Sequence, residues 1–325
     1  MLAIPIYILI LYAHDVAYTI SRKSLTPTTM VTVAVVAAGA MGSAIGRRLS
    51  QHGCTVLTIL EGRSDASRRR AADCGMEDVT FSYITEHADY LLSILPPSHA
   101  YSFAEHFLHK QTSTAGGLKR DKQDGLIFVD CNAVNPVTVK RIGDLFTGES
   151  TRFIDAGIIG GPPFEEYDPT IYASASDKDA LEKFGYLSQY GLKISLIRGG
   201  NGVGDASALK MSYAGMTKGT TALYVTMILA AQASSPATTE ALLHELRASQ
   251  PEFLKRISRA IPSMLPKAYR WVGEMEEIAG FIESPERETY RGIAKLYQRI
   301  ERSLEEEEAA GDIAVLKRFA EAASR

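Results

Sequence analysis

The stretch VTVAVVAAGAMGSAIGRRLSQHG, residues 31–53, decides the fold of this chain. Its first six residues are rich in valine, which is typical of a strand buried on both faces. Four small residues follow, and Met41, Ile45 and Leu49 then recur at helical spacing. The stretch therefore predicts a strand, a tight turn and a helix in that order.

The turn has the composition that phosphate binding requires. A diphosphate on the first turn of a helix must meet bare backbone N–H groups and the positive end of the helix dipole. In the dinucleotide fingerprint GxGxxG, Gly39 and Gly42 take the second and third glycine positions, and Ala37 replaces the first. The predicted cofactor contacts at this turn are Ala38, Gly39, Ala40, Met41 and Gly42. The alternative is a turn of small residues that binds no ligand.

Longer motifs resemble a known superfamily. The run GAMGSAIGRRL, residues 39–49, resembles the GxMGxxxAxxL signature of the β-hydroxyacid dehydrogenases, which include 6-phosphogluconate and 3-hydroxyisobutyrate dehydrogenases. Four more stretches support the resemblance: SILPPSHA (93–100), VDCNAVNP (129–136), IDAGIIGGPP (154–163) and GVGDASALKMSYAG (202–215). The chain looks most like a small phosphogluconate-dehydrogenase-like branch. The resemblance implies an α/β fold with an N-terminal Rossmann doubly wound sheet, a long central helix and an all-α C-terminal domain.

The end of the second predicted strand bears on the choice between NAD and NADP. An acidic residue there accepts the ribose hydroxyls of NAD, whereas an arginine with a hydroxyl neighbour suits the 2′-phosphate of NADP. The chain has Glu61 as well as Arg63 and Ser64. The last two resemble the Asn-Arg-Thr of NADP-using members, and three arginines follow at 68–70, although such a run is also typical of a solvated helix face. The sequence favours NADP and leaves NAD open.

Two strand ends are predicted to border the reactive part of the cofactor. The resemblance places Leu95 and Pro96 against the nicotinamide ribose, although a proline also simply ends strands. Asn132 follows the next strand, at the edge where open α/β sheets bind ligands. The family has Ser-Thr there, but this chain has Asn132 and Ala133. Asn132 is nevertheless our predicted substrate contact at this corner.

A second turn shows a similar departure from the family pattern. Gly160 and Gly161 match the glycines of a Ser-Gly-Gly turn, with Ile159 in the serine position. Two contacts to a sugar acid are therefore missing. Gly160 and Gly161 are still predicted to offer backbone N–H groups to an anionic substrate, and the alternative is a turn that needs unusual φ.

Residues 205–233 predict one long helix that is apolar nearly all round, which is typical of a buried helix linking two domains. Its polar exceptions share one face, which we expect to border the cleft. They are Lys210, Tyr213, Thr217, Lys218 and Thr221. By resemblance Lys210 is the general acid/base, although Ala214 replaces the family's Asn, and Tyr213 on the same face is a predicted substrate contact. The alternative is a lysine that reaches from a buried helix to water.

The rest of the chain is predicted to be helical, over residues 239–249, 251–261, 264–281 and 286–306. In the third of these helices the polar residues either reach the cleft or form an ordinary solvated face. They are Arg270, Trp271, Glu274 and Glu277. The apolar stripes exceed what one small bundle covers, and relatives are dimers, so we expect a homodimer.

Composition excludes several classes of function. With 46% hydrophobic and 22% charged residues the chain is typical of a soluble globular protein. The net charge of -3 gives no broad basic surface for nucleic acid. Three cysteines without CxxC spacing argue against a disulfide framework or a metal site, and favour a reducing, cytoplasmic location.

The first 29 residues are expected to be an extension. Their apolar run is too short to span a bilayer, and they lack a basic leader and a small-residue cleavage site. We therefore expect no membrane partner. The predicted organisation is an extension at 1–29, a NAD(P)-binding domain at 30–200 and a helical substrate and dimerisation domain at 201–325.

These features predict an NADP-linked dehydrogenase or reductase that transfers hydride between nicotinamide and a small hydroxy or oxo acid. Two alternatives stay open. Relatives of this architecture reduce imines, and the missing hydroxyls leave a less polar pocket. A protein that senses the nucleotide without turning it over is the third hypothesis.

Overall fold

The computed structural model describes residues 30–114, 125–305 and 310–325. The predicted extension, residues 1–29, lies outside them. The strands are β1 (Thr32–Val36), β2 (Thr55–Thr58), β3 (Met76–Asp78), β4 (Tyr90–Ser93), β5 (Ile127–Asp130), β6 (Arg152–Ile159), β7 (Thr170–Ser174) and β8 (Lys193–Leu196). The helices between them are α1 (Ala40–Gln51), α2 (Asp65–Asp73), α3 (Phe81–His87), α4 (Pro97–Thr114), α5 (Pro136–Asp144) and α6 (Lys178–Gly185).

The strands form one sheet in the order β3-β2-β1-β4-β5-β6-β7-β8. β1 to β6 are parallel, β7 runs antiparallel to β6, and β8 is parallel to β7. The central strand β1 pairs with β2 and β4, with Val33 opposite Val56 on one side and Tyr90 on the other. The chain order reverses at β1, so the ligand crevice of this fold lies at the carboxyl end of that strand.

The valine run of β1 is buried because helices cover both faces of the sheet. Val33 and Val35 pack with Ile45 of α1 in one core, and all three are at most 1% exposed. Ala34 faces the other way, into a core that contains Phe107 of α4. A parallel strand buried on both sides needs this continuous apolar sequence, as predicted.

In the described residues, six α-helices follow the sheet. They are α7 (Asp205–Ser234), α8 (Pro236–Ser249), α9 (Pro251–Met264), α10 (Ala268–Phe281), α11 (Arg287–Glu305) and α12 (Ala310–Ala323). They enclose a separate core around Tyr297, which is 0% exposed. The fold prediction of a Rossmann sheet, a long helix and a helical domain is confirmed. The boundaries proposed at 30–200 and 201–325 stay a prediction.

α7 belongs to both halves of the molecule. Its first turns pack so closely on β6 that a Cβ at Gly157 would lie 3.1 Å from Ala206 O and from Lys210 Cβ. The sequence predicted that this helix would be buried nearly all round, but one side of it is exposed. Along one side Tyr213, Met216, Leu223 and Met227 are 49%, 70%, 59% and 56% exposed.

The structure also bears on membranes and on thiol chemistry. Among the described residues no helix combines the length and apolarity needed to cross a lipid bilayer. Cys54, Cys74 and Cys131 are each buried and free.

Candidate active site

The turn after β1 presents free backbone donors. α1 begins at Ala40, and no side chain of the described residues caps it at Gly39. The N–H groups of Ala40, Met41 and Gly42 lack intrahelical acceptors because they belong to the first turn. Apart from Gly39 itself and its two chain neighbours, no heavy atom of the described residues lies within 4 Å of a Cβ built on Gly39. The turn thus combines open space with aligned donors, which fits the diphosphate of a nicotinamide dinucleotide.

Gly42 has a different reason to be glycine. A Cβ at this position would overlap the carbonyl oxygen of Ala37 and come within 3.5 Å of the Val35 side chain. The first turn of α1 can therefore sit against the end of β1 only without a side chain here. This is the close helix-to-strand packing expected of the third fingerprint glycine.

The end of β2 holds the predicted NADP contacts. Arg63 is exposed. The Ser64 Oγ accepts a hydrogen bond of 3.3 Å from the Ser67 N–H and so caps α2. Arg68 is exposed but donates to Leu60 O at 2.6 Å. Arg70 donates to Ala38 O at 3.0 Å, so one of the arginines at 68–70 reaches the turn at residues 38–42.

The corner between β4 and β5 is fixed by Asn132. Its Oδ1 accepts from the Leu95 N–H at 2.5 Å, its Nδ2 donates to Ser93 Oγ at 3.0 Å, and only 2% of the residue is exposed. The Asn132 N–H donates to Asp130 Oδ1 at 2.8 Å, and burial raises the pKa of Asp130 to about 7. Asn132 thus positions Leu95, with exposed Pro96 next to it. Its role as a substrate contact stays a prediction.

The turn after β6 offers fewer free donors than predicted. Gly160 has φ +136°, and its neighbour Gly161 donates its N–H to the Tyr167 hydroxyl at 3.1 Å. One of the two backbone donors expected for an anionic substrate is therefore satisfied within the chain.

Lys210 lies where α7 crosses β6. Its Nζ donates to Ile158 O at 2.5 Å. Burial, with a smaller effect of the positive charge of Arg270, lowers the pKa of Lys210 to about 8. A largely buried amine with this pKa can exchange a proton near neutral pH. Tyr213, the other predicted residue on this helix, is 49% exposed.

The start of α7 is anchored by a residue that sequence reasoning missed. Asp155 of β6 accepts hydrogen bonds from Gly204 N at 2.9 Å, Ser207 N at 3.1 Å and Ser207 Oγ at 2.7 Å. These are donors at the N-terminal end of α7, so Asp155 caps the helix from the sheet. Asp155 thereby sets the position of Lys210. The signal available was an acidic residue inside an otherwise apolar strand.

A charged cluster stands beyond Lys210 on the same helix. We define it as Lys218 of α7 with Arg270, Trp271 and Glu274 of α10. The Lys218 Nζ contacts Glu274 Oε2 and lies 5.1 Å from the centre of the Trp271 ring. The Arg270 Nε lies 3.8 Å from Glu274 Oε1. The polar face of α10 thus meets the polar face of α7.

α10 also contacts the sheet domain. Glu277 accepts hydrogen bonds from the backbone N–H and the Nδ2 of Asn135, both at 2.8 Å. Burial raises the pKa of Glu277, and the Asn135 hydrogen bonds oppose that effect. Asn135 caps α5 through bonds to the N–H groups of Val137 and Thr138. α10 of the helical domain is therefore tied to the β5–α5 corner of the sheet domain.

The site shows no metal-binding arrangement. Within residues 30–114, 125–305 and 310–325, no group of three or more His, Cys, Asp or Glu side chains could hold a metal ion.

Solved structures share this architecture. A conserved protein of unknown function with structural similarity to 3-hydroxyacid dehydrogenases is 27% identical, with a TM-score of 0.61 over 84% of this chain and 97% of the other. The 3-hydroxyisobutyrate dehydrogenase of Mycobacterium tuberculosis, solved with L-serine, is 14% identical, with a TM-score of 0.58 over 91% and 99%. A variant imine reductase from Myxococcus stipitatus, solved with NAD+, is 20% identical, with a TM-score of 0.50 over 89% and 98%.

Sequence families agree with the fold. No match was found among curated proteins. A model of a domain of unknown function matches residues 233–300. A model described as the NAD binding domain of 6-phosphogluconate dehydrogenase matches residues 32–197, more than half of the chain. This chain therefore belongs to the β-hydroxyacid dehydrogenase superfamily, and its residues 32–197 belong to the family of 6-phosphogluconate dehydrogenase NAD-binding domains.

Proposed function

We propose that this protein is an NADP-linked oxidoreductase that interconverts a small hydroxy acid and the corresponding oxo acid, with Lys210 as general acid/base. The observation that carries the proposal is the Lys210 amine. It is largely buried, hydrogen-bonded to the carbonyl of Ile158, and has a pKa lowered to about 8. A structural surface lysine needs none of these features.

The family and the open turn support a nicotinamide dinucleotide as the cofactor. Residues 38–42 would hold its diphosphate, Arg63 and Ser64 its 2′-phosphate, and Leu95 with Pro96 its nicotinamide ribose. When bound, this group would accept hydride from, or donate it to, the substrate carbon. NAD remains the alternative because Glu61 stands beside Arg63.

Lys210 supplies the proton that accompanies hydride transfer. In the reducing direction the protonated amine donates to the oxygen on which negative charge develops. In the oxidising direction the neutral amine accepts the hydroxyl proton. The carbonyl of Ile158 accepts a hydrogen bond from the amine and so orients it. Gly160, Gly161, Asn132 and Tyr213 are the proposed substrate contacts.

A second candidate function is reduction of a C=N bond. It is favoured by the inward orientation of the Asn132 amide and by Ala133 and Ile159 in the places of hydroxyl residues. A pocket with fewer hydroxyls suits a less polar substrate. The similarity to an imine reductase supports the shared fold only.

A substrate panel with both cofactors separates these functions. β-Hydroxy acids are tested with NADP+ and NAD+, and oxo acids and cyclic imines with NADPH and NADH, by following the absorbance of reduced nicotinamide. We expect turnover with hydroxy or oxo acids and faster rates with the NADP pair. Turnover of imines alone would replace the first proposal with the second. Tight cofactor binding without turnover of any compound would favour the nucleotide-sensing hypothesis.

We further propose a homodimer that covers the exposed side of α7. Met216, Leu223 and Met227 project from one side of that helix, and no residue of the neighbouring α8 is fully buried. Sedimentation of wild type and Leu223→Glu tests this, because a buried charge would dissociate the dimer. A wild-type monomer would contradict the proposal. The cytoplasmic location stays a prediction from the free cysteines.

A further inference from the structure

Arg270 lies on α10, close enough to Lys210 for its charge to act on that amine, and its guanidinium is accessible. Its side chain is 57% exposed, whereas that of Glu274, one turn further along α10, is only 9% exposed. Lys218, whose side chain is 14% exposed, contacts the other carboxylate oxygen of Glu274. The buried pair of Lys218 and Glu274 thus forms a fixed support, and Arg270 is the member of the charged cluster that faces outward.

The surroundings of the Lys218–Glu274 pair carry excess positive charge. Burial lowers the pKa of Lys218, and the charges of Lys210, Arg270 and Lys267 lower it further. Within the described residues, Lys218 and Arg270 share the carboxylate of Glu274, whereas the amines of Lys210 and Lys267 donate to the neutral oxygens of Ile158 and Ser263. An added anion would relieve this imbalance.

Hydrogen-bond donors are also in excess. A guanidinium has five N–H donors, and the approach of Arg270 Nε to Glu274 Oε1, at 3.8 Å, is longer than a hydrogen bond. The Trp271 Nε1–H is buried and has no hydrogen-bond partner among the described residues, although the residue is 9% exposed. Buried polar groups normally have partners, so this unpaired N–H adds to the surplus of donors beside the cluster.

The sheet side of the proposed site lacks the hydroxyl residues that the family pattern has there. Ala133 and Ile159 occupy positions where hydroxyl residues would stand, and Gly161 gives its N–H to Tyr167. A substrate acid therefore finds few donors on the sheet side. The donors in surplus lie on α7 and α10.

We propose that Arg270, oriented by Glu274 and Lys218, binds the carboxylate of the substrate while Lys210 handles the proton at its reacting oxygen. A guanidinium pairs with a carboxylate through two parallel N–H···O bonds, which fixes orientation as well as charge. Arg270 is thus a specificity-determining residue, and Glu274 and Lys218 position it. The inference deepens the proposed function and rests on it.

Binding without turnover tests this inference directly. Protein saturated with NADP+ is titrated with malonate, and with malonamide as its neutral isostere, by calorimetry. The fluorescence of Trp271, the one tryptophan of the chain, reports whether the ligand reaches the cluster. We expect malonate to bind at least about tenfold more tightly than malonamide and to change the fluorescence.

The variants are Arg270→Gln, Arg270→Lys and the matched control Arg299→Gln. Arg299 has a similar side-chain exposure, 59%, and pairs with Asp312 at 2.6 Å in a different part of the helical domain. Arg270→Gln should weaken malonate at least about tenfold, Arg270→Lys less, and Arg299→Gln not at all. The affinity for NADP+ and the circular dichroism spectrum should stay unchanged in all three.

The outcomes distinguish this inference from the proposed function. Wild type that does not prefer malonate, or Arg270→Gln that binds it as wild type does, overturns the inference. If malonate binds through Arg270 but no hydroxy or oxo acid is turned over, the proposed function fails and the anion site stands. In an active enzyme, the ratio of kcat/KM for an oxo acid to that for its methyl ester should fall in Arg270→Gln. If Arg270→Gln does not fold, Arg270→Lys decides, with a normal malonate affinity and ester ratio overturning the inference.

Discussion

The turn at residues 38–42, where we propose that the diphosphate binds, and the charged cluster are built in opposite ways. The site proposed at residues 38–42 is formed from backbone N–H groups, so Gly39 and Gly42 must lack side chains: a Cβ at Gly42 would overlap the carbonyl oxygen of Ala37. The cluster is formed entirely from side chains, including Lys218 and Glu274, that are brought together across the fold. The first site depends on a short continuous segment, and the second on contacts between distant segments.

The difference determines how each site should fail. A backbone site is damaged by adding atoms, and the damage appears as lost packing or lost cofactor affinity. A side-chain site is damaged by removing a functional group, and the damage appears in turnover, substrate choice or pH dependence. Four predictions follow this contrast, beginning with the largest effect.

Removal of the Lys210 amine should give the largest loss. Lys210→Met keeps an unbranched side chain of similar length but cannot transfer a proton, so kcat should fall by about 10²–10⁴-fold. The affinity for NADP should be kept, because the phosphate turn is separate. Steady-state kinetics and calorimetry measure both. Lys295→Met, an exposed lysine on α11, is the control and should behave as wild type. Undiminished kcat would remove Lys210 from the mechanism.

Two alanine substitutions distinguish packing from ligand approach within the turn. Gly42→Ala overpacks α1 against β1 and should lower the free energy of unfolding by about 1–3 kcal/mol. Gly39→Ala places its methyl group in open space, so stability should not change. The methyl group lies where a diphosphate would approach, so cofactor affinity should fall about tenfold. Urea unfolding and cofactor titration measure the pair. A Gly39→Ala protein with normal affinity would argue against phosphate binding at this turn.

A smaller effect is expected at the 2′-phosphate. Arg63→Gln should weaken NADP by about tenfold, because a charge-assisted hydrogen bond is lost, and leave NAD unchanged. Arg69→Gln on the neighbouring helix α2 is the matched control. If both variants weaken NADP equally, the preference comes from a diffuse positive field. If neither does, the choice of cofactor lies elsewhere.

The smallest effect is a shift along the pH axis. The pKa of Lys210 is lowered to about 8, and the reducing reaction needs the protonated amine, so its rate should fall as pH rises through about 8. The oxidising reaction needs the neutral amine, so its rate should rise over the same interval. Arg270→Gln removes a positive charge and should move both midpoints to higher pH. Profiles of rate against pH in both directions measure these midpoints. Midpoints that do not move in Arg270→Gln would show that the charge of Arg270 does not act on Lys210.

The contrast also explains what the sequence could predict. β1, the turn and α1 were predicted because their information lies within residues 31–53. β3 has only three residues, Met76–Asp78, so no periodic pattern marks it. The antiparallel direction of β7 likewise depends on pairing with β6 and has no local signal. Segments with an apolar pattern of their own are predictable, whereas a three-residue strand and the direction of a strand are not.

Functional side chains followed the same division. Lys210 was found because a motif surrounds it. The inward orientation of Asn132 was not, since it depends on hydrogen bonds to Leu95 and Ser93. The polar face of α10 was noticed, but the sequence did not decide between cleft and solvent. Contacts such as Glu277 with Asn135 join residues 142 positions apart, and no local pattern encodes them.

The continuity of α7 carries a consequence for the range of molecules the cleft accepts. Lys210 and Lys218 are eight residues apart on this uninterrupted helix, which at a rise of about 1.5 Å per residue separates their backbones by about 12 Å. Loop changes and shifts between the two halves leave that interval unaltered, because a single rigid rod fixes it. In the proposed site this interval sets how far the Lys210 amine lies from the charged cluster, and only an insertion or deletion within α7 would change it.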